Sequence, residues 1–320
     1  MKNALPVFWF PTKTLMIDDD GTYLENIAFA LNDTLNVQSF NSVDTVLDKL
    51  STSKFICLDQ TFEITDLSNF DDACFIWNEE NIVKTLFDPD RFNRVTTVIC
   101  DYSMPEMNGV EFFQKISALP VKKILLTGKA DTDVAIDAFN AGIIDLYIKK
   151  SPKTIEEILT QLPLFQRKVF IDSSQLVYNS LKRDLFFDTE VIKKVEEISS
   201  SHDIREFYLL NHQTFLMVKG NGQLMALLLL TEQDIEDTIR DFDDYDDFDS
   251  NVLQAITERQ KFPFFLSDNE KNLPPNQWKN CLYPLTPLLG NQTYYYSIID
   301  YAHAPFSQPI YSYTDYCDEK

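Results

Sequence analysis

The chain has 320 residues, enough for two domains of ordinary size, and 44% of them are hydrophobic, so each half can bury a core. Acidic residues outnumber basic ones by 50 to 28, a formal charge of -22, which excludes a large phosphate-neutralising surface because that needs clustered lysine and arginine. The 5 cysteines form no C-x-x-C pair and the 3 histidines are scattered, so neither a zinc site nor a disulfide framework is indicated.

The apolar run Leu5 to Phe10 is broken by prolines. It is too short for a membrane span and lacks a cleavage pattern. The expected protein is soluble and cytoplasmic. Next, "TKTLMIDDD" is an apolar strand ending in three aspartates, and "GTYLENIAFALND" carries Leu24, Ile27, Ala28 and Leu31 at helical spacing. "LNVQSF" reads as a strand and "SVDTVLDKL" as a helix with Ser42 as N-cap. Residues 53 to 94 are irregular, then helical around "NEENIVKTLF". "RVTTVICD" and "KKILLTG" are buried strands. "DTDVAIDAFNAG" is a helix closed by Gly142, "IIDLYIKK" is a further strand, and "PKTIEEILTQL" is a helix with Pro152 near its first turn. Five βα units with hydrophobic strands predict a doubly wound parallel sheet.

After about residue 165 the rhythm changes. "EVIKKVEEISSS" is a helix. "REFYLL", "QTFLMVK" and "QLMALLLL" are strands separated by turn-rich "NHQ" and "GNG", which predicts an antiparallel meander. "TEQDIEDTIRDF" is a helix capped by Thr231, "NVLQAITERQKF" is another, and "QTYYYSIIDY" is a strand. This half is α+β. Its acidic stretch over 232–250 lacks the D-x-[DN]-x-[DN]-G calcium loop and reads as a solvated face.

The strand ends carry the chemistry. Asp18 and Asp19 end the first strand, Asp101 the third, Thr127 the fourth, and Lys149 and Lys150 the fifth. In a doubly wound sheet these ends share one edge, where ligands bind. A carboxylate at the end of a buried strand is costly without a partner. Clustered carboxylates call for Mg²⁺, a cation that takes hard oxygen ligands. A lysine and a hydroxyl beside them suit phosphoryl oxygens. Asp101 therefore reads as a nucleophile for phosphoryl transfer.

In order and at these element ends, "MIDDD", "CDYSMPEMNG", "LLTG", "AFNAG" and "YIKK" resemble the receiver domain of two-component response regulators over residues 13 to about 163. The resemblance implies a flavodoxin-like five-stranded receiver in which Asp101 is the phosphoacceptor. It implies that Asp19 binds Mg²⁺ directly, Asp18 through water, and Ser103 through its backbone carbonyl. Thr127 and a lysine would contact the phosphoryl group, and Tyr147 would follow the movement of Thr127. Two departures stand out. The family's Lys-Pro pair is "KKSP" here, which leaves Lys149 and Lys150 as alternatives. Counting back from the final helix, with an aromatic three residues earlier, favours Lys150. The interval between Asp19 and Asp101 is also longer than the family's, with the excess at about 53–94. A loop that long is usually functional or disordered, and here its aromatics, Phe55, Phe62, Phe70, Phe75, Trp77 and Phe87, suggest that it packs.

The expected organisation is thus a receiver over 13–163 with an insertion at about 53–94, followed by an output domain over 164–320. That second domain is α+β with an antiparallel sheet. The output half shows no helix-turn-helix and no Ser/His or Cys/His arrangement. The expected function is a response regulator that accepts a phosphoryl group at Asp101 from a sensor histidine kinase or phosphotransfer protein. It would switch a non-DNA-binding output through protein or ligand contacts, with phosphorylation-dependent homodimerisation compatible with the resemblance. No membrane or nucleic-acid partner is expected, and no enzymatic activity beyond its own phosphoryl transfer. The alternatives are a receiver-regulated enzyme and a transcriptional regulator of unrecognised type.

Overall fold

In the computed structural model, residues 3–31, 35–56, 62–64, 75–77, 79–128, 131–242, 249–265, 273, 275–300 and 309–320 are described. The strands in chain order are β1 (Phe8–Trp9), β2 (Lys13–Ile17), β3 (Val37–Phe40), β4 (Phe62–Ile64), β5 (Phe75–Trp77), β6 (Val95–Asp101), β7 (Lys122–Thr127) and β8 (Leu146–Lys149). They continue with β9 (Ile204–Asn211), β10 (Thr214–Lys219), β11 (Leu224–Thr231), β12 (Lys261–Pro263), β13 (Leu282–Pro284), β14 (Thr286–Leu289) and β15 (Thr293–Asp300). The helices are α1 (Gly21–Leu31), α2 (Val43–Thr52), α3 (Glu79–Phe87), α4 (Gly109–Lys115) and α5 (Thr132–Asn140). After them come α6 (Thr154–Ser173), α7 (Gln175–Leu181), α8 (Thr189–Ser201), α9 (Glu232–Phe242) and α10 (Ser250–Thr257), and a short helix at Tyr313–Asp318.

Two compact units divide the chain. One comprises Trp9–Gln60 and Asp88–Gln175, the other Met1–Phe8, Thr61–Phe87 and Leu176–Lys320. The first holds the parallel sheet, in the order β3-β2-β6-β7-β8. Its strands alternate between two cores because successive side chains leave a strand on opposite faces. Leu15, Ile17, Val98, Cys100 and Leu125 face Val46 and Leu50 of α2, Phe112 and Phe113 of α4, and Ala135 of α5. Met16, Ile99, Ile124, Leu126 and Ile148 face Leu24 and Ile27 of α1 and Ile158 and Leu162 of α6. Burial on both faces explains why these strands read as continuous apolar runs.

Local signals account for most helix ends. Gly142 takes φ +70° just past α5, the left-handed conformation that ends many helices and that glycine adopts without strain. Ser42 sits at the N-cap of α2 but makes no side-chain capping bond, so the expected cap is positional only. Helix α6 runs on through Pro163 to Ser173, past the expected end at Leu162. A proline inside a helix removes a hydrogen bond, yet the apolar stripe continues through Val169 and Phe170, both buried. Gln166 also anchors this stretch, its Nε2 donating to Thr14 Oγ1 at 3.3 Å.

The second unit is built on a six-stranded sheet in the order β1-β9-β10-β11-β15-β14. The three expected strands form the antiparallel meander β9-β10-β11, and "QTYYYSIID" supplies β15 beside β11. Thr231 caps α9 reciprocally with Asp234: each accepts the other's backbone N–H, at 3.2 Å and 2.7 Å. The helix expected over "NVLQAITERQKF" is shorter than read. α10 stops at Thr257, Arg259 adopts φ 56°, and "KFP" is strand β12, paired with β13. Most of the aromatics of the 53–94 segment, Phe62, Phe70, Phe75 and Trp77, lie outside the residues whose side chains are described. Among the described residues no helix is long and apolar enough to cross a membrane.

Candidate functional site

Register places the site. β2 pairs with β6 with Ile17 opposite Cys100, so Asp18 and Asp101 leave adjacent strands side by side. Leu126 lies opposite Asp101 across β6 and β7, and Lys149 opposite Thr127 across β7 and β8. The expected strand ends therefore meet at one edge of the sheet.

There Lys150 Nζ lies 2.7 Å from Asp18 Oδ2 and 2.8 Å from Asp101 Oδ1. Both carboxylates are buried, and this lysine is the partner their burial requires. The free oxygen of each carboxylate is held by backbone. Asp20 N–H donates to Asp18 Oδ1 at 3.1 Å, and Ser103 N–H donates to Asp101 Oδ2 at 3.1 Å. Lys149 is exposed, and its carbonyl accepts from Thr154 Oγ1 at 3.2 Å. Of the two lysines, Lys150 is thus the one in the cluster.

Burial pushes the Asp18 carboxyl above its ordinary range against the opposing pull of Lys150 and the Asp20 N–H. Burial alone would lower Lys150, but its hydrogen bonds to Asp101 and Asp18 carry it above the usual lysine value. The neighbouring Cys100 thiol is driven well up, first by burial and then by the Asp101 and Asp18 charges. It stays a neutral core group, its Sγ 3.2 Å from the Asp101 carbonyl oxygen.

Asp19 is exposed beside this pair. One carboxylate oxygen from each of Asp18, Asp19 and Asp101 lies within 4.8 Å of the others. Three converging hard oxygens suit a small divalent cation such as Mg²⁺. Asp20 serves the helix instead. Its Oδ1 accepts the Tyr23 N–H at 3.0 Å and its carbonyl accepts Leu24 N–H, which caps α1. Thr127 is fully buried, with Oγ1 donating to the Gly128 carbonyl at 3.2 Å. Tyr147 is half-buried against the core that contains Leu15, Cys100 and Leu125.

The sequence reading missed two residues at this site. Gly109 opens α4 directly beneath the Asp101 backbone, where a side chain has no room. The preceding Asn108 caps α4 through its Oδ1, which accepts the Val110 and Glu111 N–H groups, while Glu111 accepts the Asn108 N–H in return. "Asn-Gly" reads in sequence as a turn signal; its contact with the third strand is tertiary. The other is Tyr23, whose ring lies under Lys150 Nζ at 4.6 Å to the centroid. Nothing local to Tyr23 points to a lysine so far along the chain.

The chain is similar to known proteins. Residues 78–162 match the family model "Response regulator receiver domain". That match begins after Asp18 and Asp19, so those two join the site through the fold. The transcriptional regulatory protein FixJ of Rhizobium meliloti (strain 1021) is 34% identical over 71 residues, which is 22% of this chain and 34% of that protein. The match thus spans about a third of that curated relative. The solved structure of the Legionella pneumophila response regulator LqsR is 26% identical, covers 100% of this chain and 97% of its own, and superposes with a TM-score of 0.82. The likeness to LqsR therefore takes in both units. With its parallel sheet in the order β3-β2-β6-β7-β8 and its carboxylates gathered around Lys150, the chain carries a response regulator receiver domain.

Proposed function

We propose that this protein is a Mg²⁺-dependent phosphoacceptor switched by phosphorylation of Asp101. The observation that carries the reading is the double ion pair of Lys150 with Asp18 and Asp101 at 2.7 and 2.8 Å. It sets a nucleophilic carboxylate, a cation and a hard-oxygen cluster at one sheet edge.

In this reading the phosphodonor is a phosphohistidine on a sensor kinase or phosphotransfer protein. An Asp101 carboxylate oxygen forms the new O–P bond as the N–P bond breaks, and the departing imidazole nitrogen takes a proton from solvent. Asp18, Asp19, Asp101 and the Ser103 carbonyl would hold Mg²⁺, whose charge would offset that of the phosphoryl oxygens. Lys150 trades a carboxylate contact for a phosphoryl oxygen, a charge-assisted bond. Thr127 turns its hydroxyl from the Gly128 carbonyl to another phosphoryl oxygen, and Tyr147 moves into the space vacated.

The domain organisation we propose is a receiver over 13–163, interrupted at about 53–94, and an output domain over 164–320 that acts through protein or ligand contacts in the cytoplasm. The net charge of -22 supports an output that does not engage DNA. A labelling experiment tests the reading. With Mg²⁺ and acetyl phosphate the full chain should gain one phosphoryl group, and chelation should prevent this. Asp101→Asn should gain none; equal labelling of that variant would refute the assignment.

A further inference from the structure

A lysine ammonium has three N–H donors, and at Lys150 two of them are directed at carboxylates. The Tyr23 ring faces the same nitrogen at 4.6 Å. Lys150 remains 28% exposed along its side chain, so a long, flexible stem ends in a tightly defined position. The carboxylates alone could fix it only while both stay in place. During phosphoryl transfer they do not: one contact has to be given to the incoming group. A ring face attracts the cation without offering an acceptor oxygen, so it holds the nitrogen while its hydrogen bonds change hands.

The tyrosine is itself fixed. Its N–H is bonded to Asp20 Oδ1 in the turn that also positions Asp18. Its hydroxyl is closed off from solvent and interacts with Thr154, so Tyr23→Phe separates what the hydroxyl holds from what the ring face does.

We infer that Tyr23 is a positioning residue for Lys150, holding the ammonium through its ring face while Lys150 passes from a carboxylate to a phosphoryl oxygen. This rests on the proposed reading of Asp101 as phosphoacceptor, and the test separates the two. Tyr23→Phe and Tyr23→Leu are compared with wild type in the full chain, with Asp101→Asn as control.

The first readout is the chemical shift of the Lys150 ε-methylene by NMR, without any phosphoryl group. The Tyr23 ring face should shift that signal upfield, a displacement lost in Tyr23→Leu and kept in Tyr23→Phe. The second is affinity for beryllofluoride with Mg²⁺, a phosphoryl mimic. It should fall about five- to twentyfold in Tyr23→Leu and stay near wild type in Tyr23→Phe. An unchanged Lys150 signal or unchanged beryllofluoride affinity in Tyr23→Leu, or a Tyr23→Phe as impaired as Tyr23→Leu, would overturn the inference. Equal beryllofluoride binding by Asp101→Asn and wild type would instead sink the phosphoacceptor reading, with the Lys150 signal still deciding the role of Tyr23.

Discussion

A methyl group added at Gly109 would lie 2.4 Å from the Asp101 carbonyl oxygen and 2.6 Å from Leu125 Cδ1. Neither neighbour has an easy way to yield, because one is backbone in a paired strand and the other is fully buried. Gly109→Ala should therefore cost about 1 to 3 kcal/mol in denaturant unfolding, as overpacked cores do. Because the strain falls on Asp101 itself, phosphorylation by acetyl phosphate should also slow by about ten- to a hundredfold. Wild-type stability and rate in that variant would show that the α4 contact does not govern the carboxylate. The three consecutive aspartates also differ in what they hold. Asp18 and Asp19 belong to the oxygen cluster, whereas Asp20 caps α1. Asp19→Ala should weaken Mg²⁺ affinity on the order of tenfold. Asp20→Ala should leave that affinity close to wild type and cost about 1 kcal/mol of stability through the lost cap. A Mg²⁺ titration that ranks the two variants the other way would shift the register of the ligands by one residue.

Among the elements, β8 and α6 connect the site to the rest of the chain. β8 carries Tyr147, the loop after it carries Lys150, and α6 continues to Ser173, followed at once by α7. In the proposed reading, a phosphoryl group that draws Thr127 away from the Gly128 carbonyl would change the packing next to β8, the kind of local event on which switches are built. Hydrogen exchange with and without beryllofluoride should then change across residues 145–185. Changes confined to the immediate surroundings of Asp101, with 145–185 unaltered, would rule this route out. The elements also show where sequence patterns suffice. Strands buried on both faces were legible as apolar runs, and the meander β9-β10-β11 by its turn residues. Helix ends fared less well. α6 outlasts Pro163 because Val169 and Phe170 find a core, a tertiary gain that local propensity does not contain. α10 stops early because Phe262 is taken into β12 and the core around Ala226 and Leu228.

For the whole molecule, charge and motif order were legible from the start, and so was the convergence of Asp18, Asp101, Thr127 and the lysines after the fifth strand on one edge, because chain order in a doubly wound sheet dictates it; that Lys150 rather than Lys149 enters the cluster is a matter of geometry. The contacts of Gly109 and Tyr23 were not, since each meets a partner remote in sequence. The grouping of Thr61–Phe87 with Leu176–Lys320 rather than with its flanking residues likewise has no local signal. The charge of -22 yields a prediction at this scale: the full chain should show no appreciable duplex DNA binding at physiological salt, with or without beryllofluoride. Sequence-specific retardation in a mobility-shift assay would make the output a transcriptional one. The most direct test of the central claim is to locate the phosphoryl group. After treatment with acetyl phosphate and Mg²⁺, reduction with borohydride converts an aspartyl phosphate to homoserine, and peptide mass spectrometry finds its position. Homoserine should appear at residue 101, in step with phosphorylation and only with Mg²⁺ present. Homoserine at another aspartate, or a phosphorylated chain with residue 101 unmodified, would contradict the account.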